Sequence, residues 1–256
     1  MHATMTTTEP GPRHPGAWLL ICLVLVLSGC ATTRSAAGPD ADSDPYESVN
    51  RKSYAITDSL DRAILKPVAE AYIEHLPQPV RRSVGNFFDN VTYPNVVVNS
   101  FLQGKFDQGM NDAARFTLNT IFGGLGLFDV ATPMGHPAHE EDFGQTLGVW
   151  GLDTGPYLFI PLMGPNSRRD APGIPVGVVT NALFYVSNTA ITGPLGALGL
   201  VDMRARLSGP MKVRDEAALD PYIFVREAYL QRRIYLIHDG NPPLDPMFDL
   251  EPAPVE

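Results

Sequence analysis

Apolar positions recur with a helical period along most of the chain between Asp44 and Gly240. Tyr46, Val49, Tyr54, Ile56, Leu60, Ile64 and Leu65 fall at roughly helical spacing, with Asp44-Pro45 as a cap and first-turn pair and Pro67 as a break. Pro77-Gln78-Pro79 marks a turn, and Val80, Val84, Phe87, Phe88 and Val91 predict a second helix after it. Met110, Ala114, Leu118, Ile121 and Phe122 share one side of a third helix over 106–122, stopped by Gly123, Gly124 and Gly126. After Asp220-Pro221 comes a strongly amphipathic helix, with Tyr222, Val225 and Tyr229 on a different face from Arg232 and Arg233. Val96-Val97-Val98 leans toward β-structure but is too short to imply a sheet. The pattern predicts an all-α fold.

The apolar run from Ala17 to Leu27 follows Arg13 and His14 and ends in Leu27-Ser28-Gly29-Cys30. It has the length of a secretory signal, not the roughly 20 residues of a membrane span. Leu-Ser-Gly-Cys is the pattern of a bacterial lipobox, in which Cys30 is acylated and becomes the new N-terminus. Of the two cysteines, Cys22 leaves with the signal, so the mature chain has no intramolecular disulfide. Ala31 stands where an Asp would retain a lipoprotein at the inner membrane, so the outer membrane is expected. The chain then divides into a signal peptide (1–29), a lipidated flexible tether (30–43), one helical domain (44–240) and a Pro-rich, acidic tail (241–256) expected to be disordered.

A net charge of -9 with no Lys/Arg cluster argues against nucleic acid as a partner. The distribution of charge says more. From Phe143 to Val201 the charged side chains are Asp153, Arg168, Arg169 and Asp170, and the stretch from Ala171 to Val201 has none. An apolar core and a surface that meets lipid both fit that stretch. Its prolines and glycines argue against an ordinary lipid-exposed span and suit short or broken helices.

Catalytic motifs are sparse. No Gly-x-Ser-x-Gly elbow occurs, and Gly123-Gly124-Leu125-Gly126 lacks the Lys-Ser/Thr ending of a phosphate loop. His136, His139, Glu140, Glu141 and Asp142 form the best metal candidate, but Pro137 and the missing His-Glu-x-x-His spacing favour a solvated loop. Glu70, Glu74 and His75 read as a wet helix face. No catalytic residue, metal site or cofactor is expected.

A string of short motifs nevertheless spans Asp44 to Gly240 in order: Asp44-Pro45-Tyr46-Glu47-Ser48-Val49-Asn50-Arg51, Lys66-Pro67-Val68-Ala69, Asn86-Phe87-Phe88-Asp89-Asn90, Leu102-Gln103-Gly104, Arg115-Phe116-Thr117-Leu118-Asn119-Thr120, Glu141-Asp142-Phe143-Gly144-Gln145-Thr146-Leu147-Gly148 and Asp220-Pro221-Tyr222. Together they resemble the MlaA (VacJ) family of lipoproteins. Ile56-Thr57 departs from the family's usual Phe-Asn, and Pro165-Asn166-Ser167-Arg168-Arg169-Asp170 departs from its Pro-Ser-Thr-Leu-Arg-Asp.

The resemblance implies a ring of amphipathic helices in the inner leaflet of the outer membrane around an amphipathic channel. Phospholipid strayed into the outer leaflet would pass through it to a soluble periplasmic carrier, with porin trimers as partners and no bond made or broken. It further implies that the segment 150–156, with Gly151, Asp153 and Gly155, is a hairpin beside the channel that gates it. Two other readings are a lipoprotein that only scaffolds porins, which needs no polar passage, and a lipid-modifying enzyme, which needs a nucleophile and a base.

Overall fold

The structure, a computed structural model, describes residues 44–243. The signal peptide, Cys30, the tether and residues 244–256 of the tail lie outside the described residues. Among the latter the chain forms α1 (Glu47–Leu60), α2 (Lys66–His75), α3 (Gln78–Leu102), α4 (Phe106–Ile121), α5 (Phe143–Val149), β1 (Tyr157–Ile160), β2 (Gly164–Ser167), α6 (Gly173–Thr180), α7 (Thr189–Arg206), α8 (Ser208–Ala217) and α9 (Pro221–Ile237). The fold is helical, as the periodicity predicts. Two details differ from that prediction.

Pro67 does not break the first helix. A π-turn, Asp61–Leu65, carries the backbone from α1 straight into α2, where Pro67 occupies the first turn. Proline has no N–H to give, and the π-turn just before it, where Lys66 N reaches back five residues to Asp61 O, is where the ladder changes register and takes up the missing bond. The second difference is an antiparallel hairpin that pairs Tyr157 with Ser167 and Ile160 with Gly164. Its second strand, Gly-Pro-Asn-Ser, has no β-forming side chains and gives no sequence signal. Val96, Val97 and Val98 lie inside α3, where packing of a long helix overrides their β preference.

The hairpin is held by an aromatic cluster and by one asparagine. Tyr157, Phe159 and Tyr222 are buried against each other, with Tyr54, Ile223, Val225 and Tyr229 around them. Tyr54 meets Phe159 edge-to-face at 5.4 Å, and Tyr157 meets Tyr229 in the same way at 5.9 Å. Asn50 of α1 then acts as a substitute strand: its Nδ2 donates to Tyr157 O (3.0 Å) and its Oδ1 accepts from Phe159 N (2.9 Å). The tip is tied as well, since Leu162 N donates to Thr57 Oγ1 at 3.1 Å.

Elsewhere the packing is inverted relative to a water-soluble protein. Buried polar side chains outnumber buried apolar ones. In α4 the buried residues are Gly109, Asp112, Arg115 and Asn119. Its apolar side points outward, with Met110 at 64%, Ile121 at 66% and Phe122 at 72% exposure. Helices are joined by charge. Arg204 of α7 clasps Asp61 with Nε–Oδ1 and Nη2–Oδ2 contacts of 2.5 and 2.9 Å, both residues being buried. Tyr72 of α2 donates to Asp202 of α7 at 3.0 Å, and Arg206 reaches Asp89 of α3 at 2.8 Å.

Replacing Asn50 by Leu keeps the volume near constant and leaves Tyr157 O and Phe159 N without their partner in a buried site. The expected cost is about 2–4 kcal/mol, two buried groups at roughly 1–2 each. Thermal unfolding of the detergent-solubilised protein reads it as a lowered Tm, and an unchanged Tm would show that the hairpin is held by other contacts.

Candidate functional site

The inverted packing leaves an open-sided cavity of about 440 Å³ between α3, α4, the loop 129–142, α5, the end of α7 and Leu236 of α9. Most of the residues that line it are polar: Asn90 and Asp89 from α3, Arg115 and Asn119 from α4, Asp142 and Gln145 at the start of α5, and Arg206 from α7. Tyr93, Val96, Ala138 and Leu236 supply apolar surface. A second space of about 270 Å³ shares His139, Glu140 and Glu141 with it and extends to Arg232, Tyr235 and Asp239.

Each charged side chain around the cavity is fixed by a partner behind it. Arg115 gives Nη1 to Thr132 Oγ1 and His136 O, both at 2.7 Å, and Nη2 to Asp129 at 2.8 Å. Burial alone would raise the Asp129 pKa, but hydrogen bonds from Arg115 and Thr132 prevail and hold it at about 2. Asn119 adds a cap to the same loop by accepting from Val130 N and Ala131 N at 2.9 and 3.0 Å.

On the opposite side Arg233 of α9 is buried, not on a solvent-facing polar stripe as the helix pattern suggests. Its guanidinium bonds Asp142 at 2.5 and 2.9 Å and Asp170 at 3.2 Å. Asp142 in turn caps α5 through Gln145 N at 2.9 Å. Burial works against ionisation of both carboxylates, yet Arg233 for Asp142, and Arg169 with Arg233 for Asp170, keep them below the usual range. Gly144 is small by necessity here, because a Cβ would come within 2.5 Å of Asp170 Oδ1. None of this was visible as a pattern, since Asp142, Asp170 and Arg233 are far apart in the chain.

The segment 136–142 is a loop exposed at Pro137, Ala138 and Glu140, as expected, but its other side chains form a polar junction. Glu141 is buried and bonds Lys105 Nζ (2.8 Å), Gln103 (2.7 Å) and Gln108 (2.9 Å). His139 gives Nδ1 to Asp112 at 2.7 Å, and the same fully buried carboxylate accepts from Tyr93 OH and Ser100 Oγ. His136 turns to Asn111. The five residues of the metal candidate thus face different partners, and among the described residues no group of three or more His, Cys, Asp or Glu is placed to hold a metal ion. Tyr93 and Ser100 bond Asp112, not the free ring nitrogen of His139. Glu70, Glu74 and His75 are exposed on α2, the wet face expected.

The exterior is the reverse of the cavity. From Ala171 to Val201, the stretch without charge, no residue is buried. Helix α6 reads Gly-Ile-Pro-Val-Gly-Val-Val-Thr and is apolar all round, a composition that needs a non-aqueous neighbour. Phe184 and Tyr185 beyond it are 56% and 73% exposed. The stretch is therefore not an apolar core. No helix among the described residues is long and apolar enough to cross a membrane.

The expected gating residues are not among those that line the cavity. The segment 150–156 is a helix end followed by extended chain leading into β1, and the true hairpin is 157–167. Gly151 closes α5 at φ +89° and Gly155 turns the chain at φ +65°, both in the region closed to most residues. Asp153 is exposed between them. Trp150 Nε1 to Leu102 O (3.0 Å) and Arg169 Nη1 to Thr154 Oγ1 (3.0 Å) tie the segment to α3 and to the Arg169–Asp170 pair.

The family model for MlaA lipoproteins matches residues 42–236. The "Intermembrane phospholipid transport system lipoprotein MlaA" of Shigella flexneri is 37% identical over 220 residues, covering 84% of this chain and 86% of that protein. Its namesake in Escherichia coli (strain K12) is 37% identical over 224 residues with the same coverage. That of Haemophilus influenzae is 28% identical, covering 85% and 88%. A solved structure described as "Structural basis for maintenance of bacterial outer membrane lipid asymmetry" superposes with a TM-score of 0.66 at 35% identity, over 76% of this chain and 99% of that one. With the match running through α1, the hubs that wall the cavity and nearly all of α9, the chain belongs to the MlaA lipoprotein family.

Proposed function

We propose that the protein is a lipoprotein of the outer membrane, held at its periplasmic side by acyl chains on Cys30 and sunk into the inner leaflet. It takes phospholipid mislocalised to the outer leaflet through its cavity and passes it to a periplasmic carrier. Lipid asymmetry is thereby maintained, beside porin trimers and without catalysis. The observation that carries this reading is the pairing of a polar cavity with an exterior that is apolar and unburied from Ala171 to Val201.

The dimensions support it. The uncharged part of α7, Thr189 to Val201, is roughly 20 Å long at 1.5 Å per residue, enough for one leaflet of a hydrocarbon core of about 30 Å but not for both. Asp202, Arg204 and Arg206 follow, and pair at once with Tyr72, Asp61 and Asp89. A head group moving through hydrocarbon loses its hydration, and a passage lined by Asn, Asp and Arg replaces it. A scaffold needs only the apolar exterior and leaves the cavity without purpose. The names of the relatives, which call them phospholipid-transport lipoproteins, support the same reading.

The segment with Gly151, Asp153 and Gly155 is the proposed gate. It connects α5, which walls the cavity through Gln145, to the hairpin, and its two left-handed glycines are the places where it can bend.

Deleting the gene should raise outer-leaflet phospholipid in the host, and the wild-type chain should reverse this. Ala138→Trp, which fills the cavity from an exposed loop and leaves the exterior untouched, should fail to reverse it although the protein is present and porin-bound. Normal asymmetry in that variant would favour the scaffold. Gly151→Ala, strained at φ +89°, should also impair removal; full activity there would remove the gate. Intact mass of the mature protein should show an acylated Cys30 at the N-terminus, and an unmodified Cys30 would contradict the anchor.

A further inference from the structure

The charge-poor stretch from Phe143 to Val201 has two kinds of charged residue. Arg169 and Asp170 are buried against each other, with Arg233 behind them. Asp153 and Arg168 are exposed, and among the described residues neither has an ion-pair partner, the other included. The Arg168 guanidinium makes no hydrogen bond there either. Arg115, Arg204, Arg206 and Arg233, by contrast, each hold a carboxylate.

Arg168 is nevertheless fixed in position. Its backbone N donates to Pro156 O at 3.1 Å. Its side chain lies along Gly155, where an added Cβ would come within 3.2 Å of both Arg168 Cβ and Nε. Gly155 is the left-handed bend, φ +65°, of the segment 150–156, so the free guanidinium sits on the bend itself. The same segment exposes Trp150 and Leu152. A guanidinium, an indole and an aliphatic side chain exposed together suit a membrane interface, where each places its apolar part in hydrocarbon and its polar tip among head groups.

Helix α3 shows which interface. At one end Gly85 packs against Asp202 and Arg206, the charged end of α7. At the other, Leu102 O accepts from Trp150 Nε1 at 3.0 Å. The helix from 85 to 102 is about 25 Å long at 1.5 Å per residue. The segment 150–156 is thus at the far end of α3 from the charged end of α7. With that charged end toward the periplasm, the segment is turned toward the outer leaflet, the side from which cargo enters.

We propose that Arg168 binds the phosphodiester of a glycerophospholipid at the entrance, before the head group reaches the cavity. The proposal rests on the reading of the protein as a lipid route, and adds to it the first point of contact. An unpaired guanidinium beside hydrocarbon is costly, and a phosphodiester supplies both the opposite charge and two acceptors in the geometry of the guanidinium fork. Phosphate is common to all glycerophospholipids, so the contact selects for a charged lipid without reading the rest of its head.

The test uses the purified mature protein in detergent. Trp18 leaves with the proposed signal, so Trp150 is its single tryptophan and its emission reports on this segment. Dihexanoyl phosphatidylcholine is titrated beside two comparison ligands, dihexanoylglycerol, which has the same chains and no phosphate, and inorganic phosphate. The phospholipid is expected to bind Arg168→Gln about tenfold more weakly than wild type, a loss of about 1.4 kcal/mol, near the lower end for a hydrogen bond to a charged group. Arg168→Lys, which keeps the charge but not the fork, should fall between them. Dihexanoylglycerol should bind wild type and Arg168→Gln alike, whereas a merely structural role for Arg168 would weaken both ligands. Equal phospholipid affinity in wild type and Arg168→Gln overturns the proposal and leaves the transport reading standing. Inorganic phosphate that binds as tightly as the phospholipid overturns the lipid as the ligand. A wild-type protein that takes up no phospholipid in equilibrium dialysis contradicts the transport reading itself, and this proposal with it.

Discussion

Buried charge in this protein has to be paired, and the rest of the structure follows from that constraint. Among the described residues there is one small aromatic cluster, and most other buried positions hold polar or charged side chains such as Asp, Arg and Asn. Removing one member of a buried pair is costly because the other is left uncompensated, about 3–5 kcal/mol in comparable cases. Arg204–Asp61, Arg233–Asp142–Asp170 and Arg115–Asp129 therefore act as joints: the first two tie segments more than sixty residues apart, and the third ties α4 to the loop that follows it. The cavity between them stays open because its walls are braced from behind by ion pairs and not by side chains that would fill it.

The same constraint explains the outside. Apolar residues displaced from the interior gather on the surface, along the outer face of α4 and throughout the stretch from Ala171 to Val201. In water such a surface would drive aggregation, whereas against acyl chains it is neutral. A body polar within and apolar without is stable where its surroundings are less polar than its interior. A route for a molecule with a charged head and apolar tails needs the same arrangement, so architecture and proposed function share one physical origin.

The sequence held the elements better than their direction. The periods of Met110, Ala114, Leu118, Ile121 and Phe122 located α4 to within a residue, and Asp220-Pro221 located the start of α9. Period alone does not say which face is inward, and the usual assumption that apolar means inside fails for α4, where Asp112, Arg115 and Asn119 are the buried residues. The hairpin was missed because its second strand, Gly164-Pro165-Asn166-Ser167, has no β-forming side chains, and its first strand is held by Asn50, more than a hundred residues distant along the chain. The segment 136–142 was read as solvated for the same reason: Glu141 and His139 look wet until Lys105 and Asp112 are brought to them. Family resemblance supplied what local pattern lacked, a reason for an uncharged stretch from Ala171 to Val201 to lie outside.

The central claim is that this stretch lies in hydrocarbon, and depth-dependent quenching measures it directly. A single environment-sensitive fluorophore at Val179 on α6, in protein reconstituted into bilayers, is expected to be quenched strongly by spin labels on lipid acyl chains and weakly by a water-soluble quencher. The same fluorophore at Glu216 on α8 serves as the comparison, with the opposite order expected. Equal, strong quenching of the Val179 probe from water, with none from the acyl chains, would place α6 outside the leaflet and contradict the account.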